Sequence, residues 1–190
     1  MRVIGGTARG RRLKAPKGQA VRPTAARVKE SLFNILPPNL SGLRVLDLFA
    51  GSGNLSIEAL SRGAVHAVLI DESSRSTAAI RANLDRLALS ERAQVWTAPV
   101  LRSLRKLAQS EQLFDLIFLD PPYERELVGA ALASVGRSHL LSEGGTVVAE
   151  HSAREPVRLR YQDLVLHDQR RYGDTLLSFF KHAATSSSGE

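Results

Sequence analysis

The chain is expected to fold as an α/β protein, with a mostly parallel sheet closed by an antiparallel C-terminal hairpin and preceded by a small basic hairpin and a helix. Three features of its 190 residues point there. Short apolar runs alternate with amphipathic stretches from Arg44 to Glu150, the rhythm of strands joined by crossover helices. The first run ends in a glycine turn, Ala50-Gly51-Ser52-Gly53. Beyond residue 157, strand-like pieces flank Tyr172-Gly173-Asp174 with no helical stretch between them, which reads as a hairpin.

Taken in order, residues 1–22 hold two β-capable pieces, Arg2-Val3-Ile4 and Arg11-Arg12-Leu13, around Gly5, Gly6 and Gly10. They read as a hairpin arm with little core of its own. Arg2, Arg9, Arg11, Arg12, Lys14, Lys17 and Arg22 can project from it toward phosphates, giving salt-dependent affinity that is blind to sequence. Pro23-Thr24 opens a helix to about Leu36, with Val28, Leu32, Ile35 and Leu36 in one apolar stripe and Pro37-Pro38 as its stop. Strands are then expected at 44–49, 67–70, 93–97, 114–119 and 146–150, and helices at about 54–62, 74–89, 100–109 and 125–138. The hairpin takes Leu164 to Arg170 and Thr175 to Lys181. Residues 183–190 are small and polar and read as a disordered tail. The division is thus an arm over 1–22, an α/β domain over 23–182 and a tail.

Composition narrows the function. Without cysteine, disulfides, cysteine-ligated zinc and thiol catalysis are excluded. His66, His139, His151, His167 and His182 have no metal-ligand spacing and read as surface or satisfied structural residues, so no metal is expected. No apolar run approaches the ~20 residues of a membrane span and no signal-peptide core is visible, so a cytoplasmic protein is expected. Net charge is +7, unevenly placed: up to Arg44 there are ten Lys/Arg against Glu30 alone, leaving sixteen against eighteen acids in the remainder. A basic front on a nearly neutral body suits a polyanion, most commonly nucleic acid.

The stretch that organises the rest is Phe114-Asp115-Leu116-Ile117-Phe118-Leu119-Asp120-Pro121-Pro122-Tyr123. Its apolar run suits a buried parallel strand, and two prolines force the chain out at the sheet's edge. Ligands of open α/β sheets bind at the carboxyl ends of strands, so Asp120 and Tyr123 are placed where a ligand sits. The glycine turn lacks the third glycine of dinucleotide sites, since position 56 is serine, which disfavours a dehydrogenase. Asp47, four residues before Gly51, would repel a pyrophosphate and could pair with an amino group. Asp71 ends the second strand, where a carboxylate can accept from both ribose hydroxyls. S-adenosylmethionine fits this pair, being cationic at its amine and sulfonium and free of phosphate. Trp96 and Phe179 lie in strand patterns and read as core, and Glu150 could face the cleft.

With those residues in view, the sequence resembles the Rossmann-like class I S-adenosylmethionine-dependent methyltransferases of exocyclic amino groups, whose signature is Asp/Asn/Ser-Pro-Pro-aromatic after strand four. Arg2-Val3-Ile4-Gly5-Gly6, Arg9-Gly10-Arg11, Arg22-Pro23-Thr24, Arg27-Val28, Glu30-Ser31-Leu32-Phe33-Asn34, Asp47 to Gly53, Glu58 to Ala64 and Tyr172-Gly173-Asp174-Thr175 together resemble the RsmD family. That resemblance implies methylation of a guanine 2-amino group in bacterial 16S ribosomal RNA; so small a protein is expected to act within a small ribosomal subunit or assembly intermediate, and a monomer is the default expectation. It implies cofactor contacts at Thr24, Asp47, Phe49, Ala50, Gly51, Gly53, Asp71, Glu72, Pro99 and Val100, and catalysis at Asp120, Pro121, Pro122 and Tyr123. Thr97-Ala98-Pro99-Val100 departs from the Asp or Asn that such enzymes often place there to meet the adenine amino group. A DNA adenine-amino or protein glutamine methyltransferase, and a non-catalytic ribosome-assembly factor on the same fold, are the competing readings.

Overall fold

The structure, a computed structural model, describes residues 1–16, 23–122 and 127–183. Lys17, Arg22, Tyr123 and the tail from residue 184 onward lie outside the described residues. The chain forms α1 (Pro23–Ile35), β1 (Arg44–Leu48), α2 (Asn54–Ser61), β2 (His66–Asp71), α3 (Ser74–Arg86), β3 (Ala93–Thr97), α4 (Val100–Leu107), β4 (Phe114–Leu119) and α5 (Leu127–Ser138). It then forms β5 (Leu141–Ser152), β6 (Arg160–Tyr161), β7 (Leu164–Tyr172) and β8 (Thr175–His182). The eight strands make one sheet in the order β3-β2-β1-β4-β5-β8-β7-β6. β1 to β5 run parallel; β8 joins β5 antiparallel, and β7 and β6 follow as antiparallel neighbours.

Alternation along the strands divides the core into two layers. Val45, Leu69 and Phe118 face one side, with Val28 and Leu32 of α1, Ile57 and Leu60 of α2 and Ile80 of α3. Leu46, Ile70 and Ile117 face the other, with Leu104 of α4 and Leu132 of α5. Both faces are covered, which is why these strands read as apolar runs.

The structure differs from the sequence reading at β5 and β6, and at α3, which ends at Arg86 and is followed by a 3-10 turn over Ser90–Arg92. β5 begins at Leu141 rather than at 146, because Leu141 already pairs with Phe114 and a register shift absorbs Gly144-Gly145. Glycines that signal a turn can also sit within an irregular strand. The short β6 has too few residues to carry a period and was not foreseen.

The N-terminal segment is bridged at Arg2 and Arg12 as a small antiparallel loop, and it packs into the main core. Val3, Ala8 and Leu13 are buried there, while Arg2, Arg9, Arg11, Arg12 and Lys14 are exposed. Its clamp is Glu58 of α2, whose side chain is fully buried. Oε2 accepts from Lys29 Nζ at 2.8 Å and from the Ile4 N–H at 2.8 Å. Oε1 accepts from the Gly5 N–H at 2.7 Å and from Arg62 Nε at 2.9 Å. Burial by itself would raise this carboxyl; the donors, led by Lys29, hold it below its ordinary value. Its stabilisation is therefore present above the ordinary value of 4.5 and is lost as pH falls through the lower folded value.

Removing one partner from a buried ion pair costs about 3–5 kcal/mol because the others are left uncompensated. Glu58→Ala is accordingly expected to lower the melting temperature by roughly 6–20 °C, at about 2–4 °C per kcal/mol for a chain of this size. Thermal unfolding followed by circular dichroism checks this, and a drop below about 3 °C would remove Glu58 from that role.

Candidate active site at the C-terminal edge of the sheet

Strand order reverses at β1, with β2 and β3 on one side and β4 and β5 on the other. Crossovers on the two sides leave to opposite faces, so a crevice opens beyond the C-terminal ends of β1 and β4. Leu48 pairs with Ile70 on one side and with Leu119 on the other, so the residues that follow them, Phe49, Asp71 and Asp120, stand level. Asp71 pairs with Thr97, and Leu119 with Ala149, which brings Ala98, Pro99 and Glu150 to the same edge.

The turn after β1 is tied to β2. Ala50 N–H donates to the Ile70 carbonyl at 2.9 Å, and Gly51 N–H to Asp71 Oδ2 at 2.8 Å. Ser73 N–H donates to Asp71 Oδ1 at 2.8 Å. Asp71 therefore shapes the turn, a role its sequence position did not reveal, and an ionised carboxylate with two such bonds keeps acceptor capacity for a ligand. Phe49 is held at φ 71°, a conformation uncommon for a bulky residue and frequent at ligand sites. A Cβ on Gly53 would approach Leu69 Cδ2 to 3.2 Å and Ile57 Cδ1 to 3.3 Å, so the bare backbone lets α2 close on the sheet. A Cβ on Gly51 would meet nothing within 4 Å, leaving open space in front of the turn.

Asp47 is buried at 2% exposure, and its Oδ2 accepts from Ser56 Oγ at 2.8 Å. The serine that replaces a third glycine is thus the partner of this acid. Burial pushes the Asp47 carboxyl up to about 7; hydrogen bonds from Ser56 oppose the rise and the neighbouring Asp71 charge adds to it. A carboxyl desolvated in this way gains from a cationic amine. Asp71 at the open turn and Asp47 buried at the end of β1 fit a phosphate-free, positively charged ligand, and S-adenosylmethionine meets that requirement.

Asp120 is exposed at the end of β4, and its N–H reaches the Leu48 carbonyl only at 3.5 Å, where the ladder opens. Pro121 is buried and Pro122 exposed. Glu72 is exposed after β2. Pro99 precedes α4 and its carbonyl accepts from Ser103 N–H and Oγ, each at 3.0 Å. The Val100 side chain is packed in the α4/α5 core, so its offering to a ligand is the N–H of the helix's first turn. Thr24 lies in the first turn of α1, with its side chain outside the described residues.

Several supporting residues were not foreseen. Asn83 of α3 is fully buried; its Oδ1 accepts from Lys14 N–H at 2.8 Å, and its Nδ2 donates to the Lys14 and Ser52 carbonyls at 2.9 and 3.2 Å. It brackets the N-terminal segment to the glycine turn. Lys29 reaches Asn54 Oδ1 at 2.8 Å and the Arg2 carbonyl at 3.1 Å. The sequence signal for this group was the Glu58 to Ala64 stretch of the resemblance. His151 is buried with Nε2 2.8 Å from Ser178 Oγ and Nδ1 2.9 Å from the Glu155 carbonyl, a satisfied structural residue. Among the described residues no group of three or more His, Cys, Asp or Glu could hold a metal ion, and no helix is long and apolar enough to cross a membrane.

Because the folded carboxyl of Asp47 is raised, its contribution is fully present below the unfolded value of 3.8 and is lost as pH rises through about 7. Ligand-free Asp47→Asn should therefore gain stability relative to the wild type as pH rises from 4 to 8. Urea unfolding across that range tests it, and a constant difference between the two proteins would show that Asp47 titrates normally.

The chain resembles known proteins over nearly its whole length. The family model described as "Conserved hypothetical protein 95" matches residues 1–181. YlbH of Bacillus subtilis (strain 168) is 42% identical over 181 residues, covering 95% of this chain and 98% of that protein. The "Ribosomal RNA small subunit methyltransferase D" of Haemophilus influenzae is 35% identical over 158 residues, covering 83% of this chain and 81% of that protein. Among solved structures, yhhF from Escherichia coli superposes with a TM-score of 0.82 at 32% identity, covering 97% of this chain and 98% of that one. The fold is shared more distantly with the Thermus thermophilus 16S rRNA N2 G1207 methyltransferase RsmC in complex with AdoMet and guanosine, at a TM-score of 0.70 and 20% identity over 89% of this chain and 45% of that one. Matched from its first residue through the last strand of its sheet, the chain belongs to the conserved hypothetical protein 95 family, the RsmD family.

Proposed function

We propose that this protein transfers a methyl group from S-adenosylmethionine to the exocyclic 2-amino group of a guanine in 16S ribosomal RNA. It acts in the cytoplasm, as a monomer, on a small ribosomal subunit or assembly intermediate. The observation that carries this reading is the level row at the strand-order reversal: Asp120-Pro121-Pro122 stands one strand from the Phe49–Gly53 turn and its two acids. The name of the Haemophilus relative supports the RNA, and the bound molecules named for RsmC support cofactor and base.

In this reading Asp47 holds the cofactor's amine and Asp71 its ribose, with Thr24, Phe49, Ala50, Gly51, Gly53 and Glu72 around them. The backbone at Pro99 and Val100 borders the adenine, where Pro99 brings no side-chain acceptor. When bound, S-adenosylmethionine supplies a methyl group made electrophilic by its cationic sulfur. The guanine 2-amino nitrogen is a weak nucleophile because its lone pair is delocalised into the ring. Asp120 and the Pro121 carbonyl accept its two N–H bonds and turn the lone pair toward the methyl group, and Pro122 stiffens the turn. Tyr123 stacks on the base. Acceptors fixed in advance stabilise the charge that develops on nitrogen. The methylated nitrogen is cationic and acidic, and Asp120 receives or polarises its proton without being a strong base. The cations of the N-terminal segment, Lys17 and Arg22 included, hold phosphates and offset the few kcal/mol needed to extrude a stacked base.

Methyl-labelled S-adenosylmethionine incubated with small subunits from cells lacking this gene should place label in 2-methylguanosine after nucleoside digestion. Label in adenine or protein would favour the other amino-group methyltransferases, and binding without label the assembly factor. Asp120→Ala is expected to lower kcat by about 10²–10³-fold or more, as for loss of a transition-state hydrogen-bond partner. Calorimetry should show cofactor affinity nearly unchanged in that variant; loss of both would mark Asp120 as structural. Tyr123→Ala should be far more damaging than Tyr123→Phe, and equal losses would refute stacking.

A further inference from the structure

We propose that the groove between β3 and α4, lined by Trp96, Arg102 and Lys106, is a second contact surface for the RNA, seating a nucleotide other than the one methylated. The inference rests on the proposed RNA substrate. β3 is the outer strand of the sheet, and Trp96, the only tryptophan in the chain, lies half-buried on it. A groove of about 420 Å³ is lined by Trp96, Thr97, Ala98, Arg102, Ser103 and Lys106. Lys106 Nζ stands 5.0 Å from the centre of the indole.

Along β3 and α4 the charge has one sign. From Gln94 to Ser110 there are three cations, Arg102, Arg105 and Lys106, and no acid. α4 buries Val100, Leu104 and Leu107 and exposes all three cations together with Leu101, which is 40% exposed. A merely solvated helix face has no use for a tryptophan left partly open on an edge strand. An aromatic ring set among cations is how proteins hold single nucleotides, with the base on the ring and the phosphate on the charges.

Position completes the argument. Thr97 is in register with Asp71, so the groove opens onto the edge that carries Asp120. The basic N-terminal segment packs on the opposite face of the sheet, where Met1 Sδ lies 3.6 Å from Ser52 Oγ of the glycine turn. A strand of RNA crossing the mouth therefore meets cations on both sides, with the Trp96 ring among those of the β3/α4 side. An acidic protein would satisfy the charges alone, whereas a nucleotide uses the charges and the ring together.

The test uses the Arg102→Glu/Lys106→Glu double variant, together with Trp96→Ala and Trp96→Phe. Both cations are exposed, so folding is preserved, and an unchanged melting temperature verifies it. The double variant should raise KM for the same small subunits by at least about tenfold with kcat and cofactor affinity little changed. The slope of log(kcat/KM) against log salt should fall by about 1.4–1.8, the value for two lost phosphate contacts. Trp96→Ala should raise KM and Trp96→Phe restore most of it. Filter binding to subunits and to protein-free 16S RNA runs in parallel. Wild-type KM, salt slope and binding in the double variant overturn the inference while wild-type methylation still stands. Binding lost on subunits but not on free RNA also overturns it, in favour of a ribosomal protein. Wild-type binding without methyl transfer overturns the proposed activity instead, and the binding arm still decides the groove.

Discussion

A single buried carboxylate fixes how the front of the chain meets the sheet. Glu58 receives two side-chain cations and two backbone N–H groups from three separate segments: the N-terminal loop, α1 and α2 itself. None of these partners could be buried alone, because an unpaired buried charge costs several kcal/mol. The N-terminal loop, which buries Val3, Ala8, Leu13 and Pro16, has too little apolar surface to order itself. Glu58 supplies much of the rest, with Ser61 and Asn83 as further anchors. It also sets α2, and α2 starts at the glycine turn, so the same contact lies behind the position of the candidate site.

Around that turn the structure reuses groups. Asp71 braces the loop through Gly51 and Ser73 while facing the cleft, and Ser56 gives α2 a buried hydroxyl that holds Asp47. Phe49 is kept in an unfavourable backbone region by the Ala50–Ile70 hydrogen bond on one side and the strand on the other. Strain of that kind persists only where neighbours over-determine it, and here they do. The acids and the turn thus form one preorganised unit before any ligand arrives.

The cations divide into two kinds. Lys29 of the basic front and Arg62 beyond it are consumed by Glu58 and by backbone carbonyls, so part of the positive charge is structural. Arg2, Arg9, Arg11, Arg12 and Lys14 remain outward, carried on a loop whose inward residues are core. α4 adds a second basic surface from the remainder of the sequence, where the total of sixteen cations against eighteen acids conceals it.

Periodicity alone determined the α/β class, the order of the main helices and strands and the residues at each strand's end. A parallel strand buried on both faces must be apolar, and the chain must leave it through glycine, proline or a polar residue, so those positions stand out in a sequence. That is why Asp47, Gly51, Asp71 and Asp120 were legible. Strand order, the antiparallel placement of β8 between β5 and β7, and the level alignment of Phe49, Asp71 and Asp120 were decided by tertiary pairing. So were the roles of Glu58, Ser56 and Asn83, whose partners lie up to 69 residues away. A polar residue declares its chemistry in the sequence, but which charge or N–H it meets is set only when distant segments pack together.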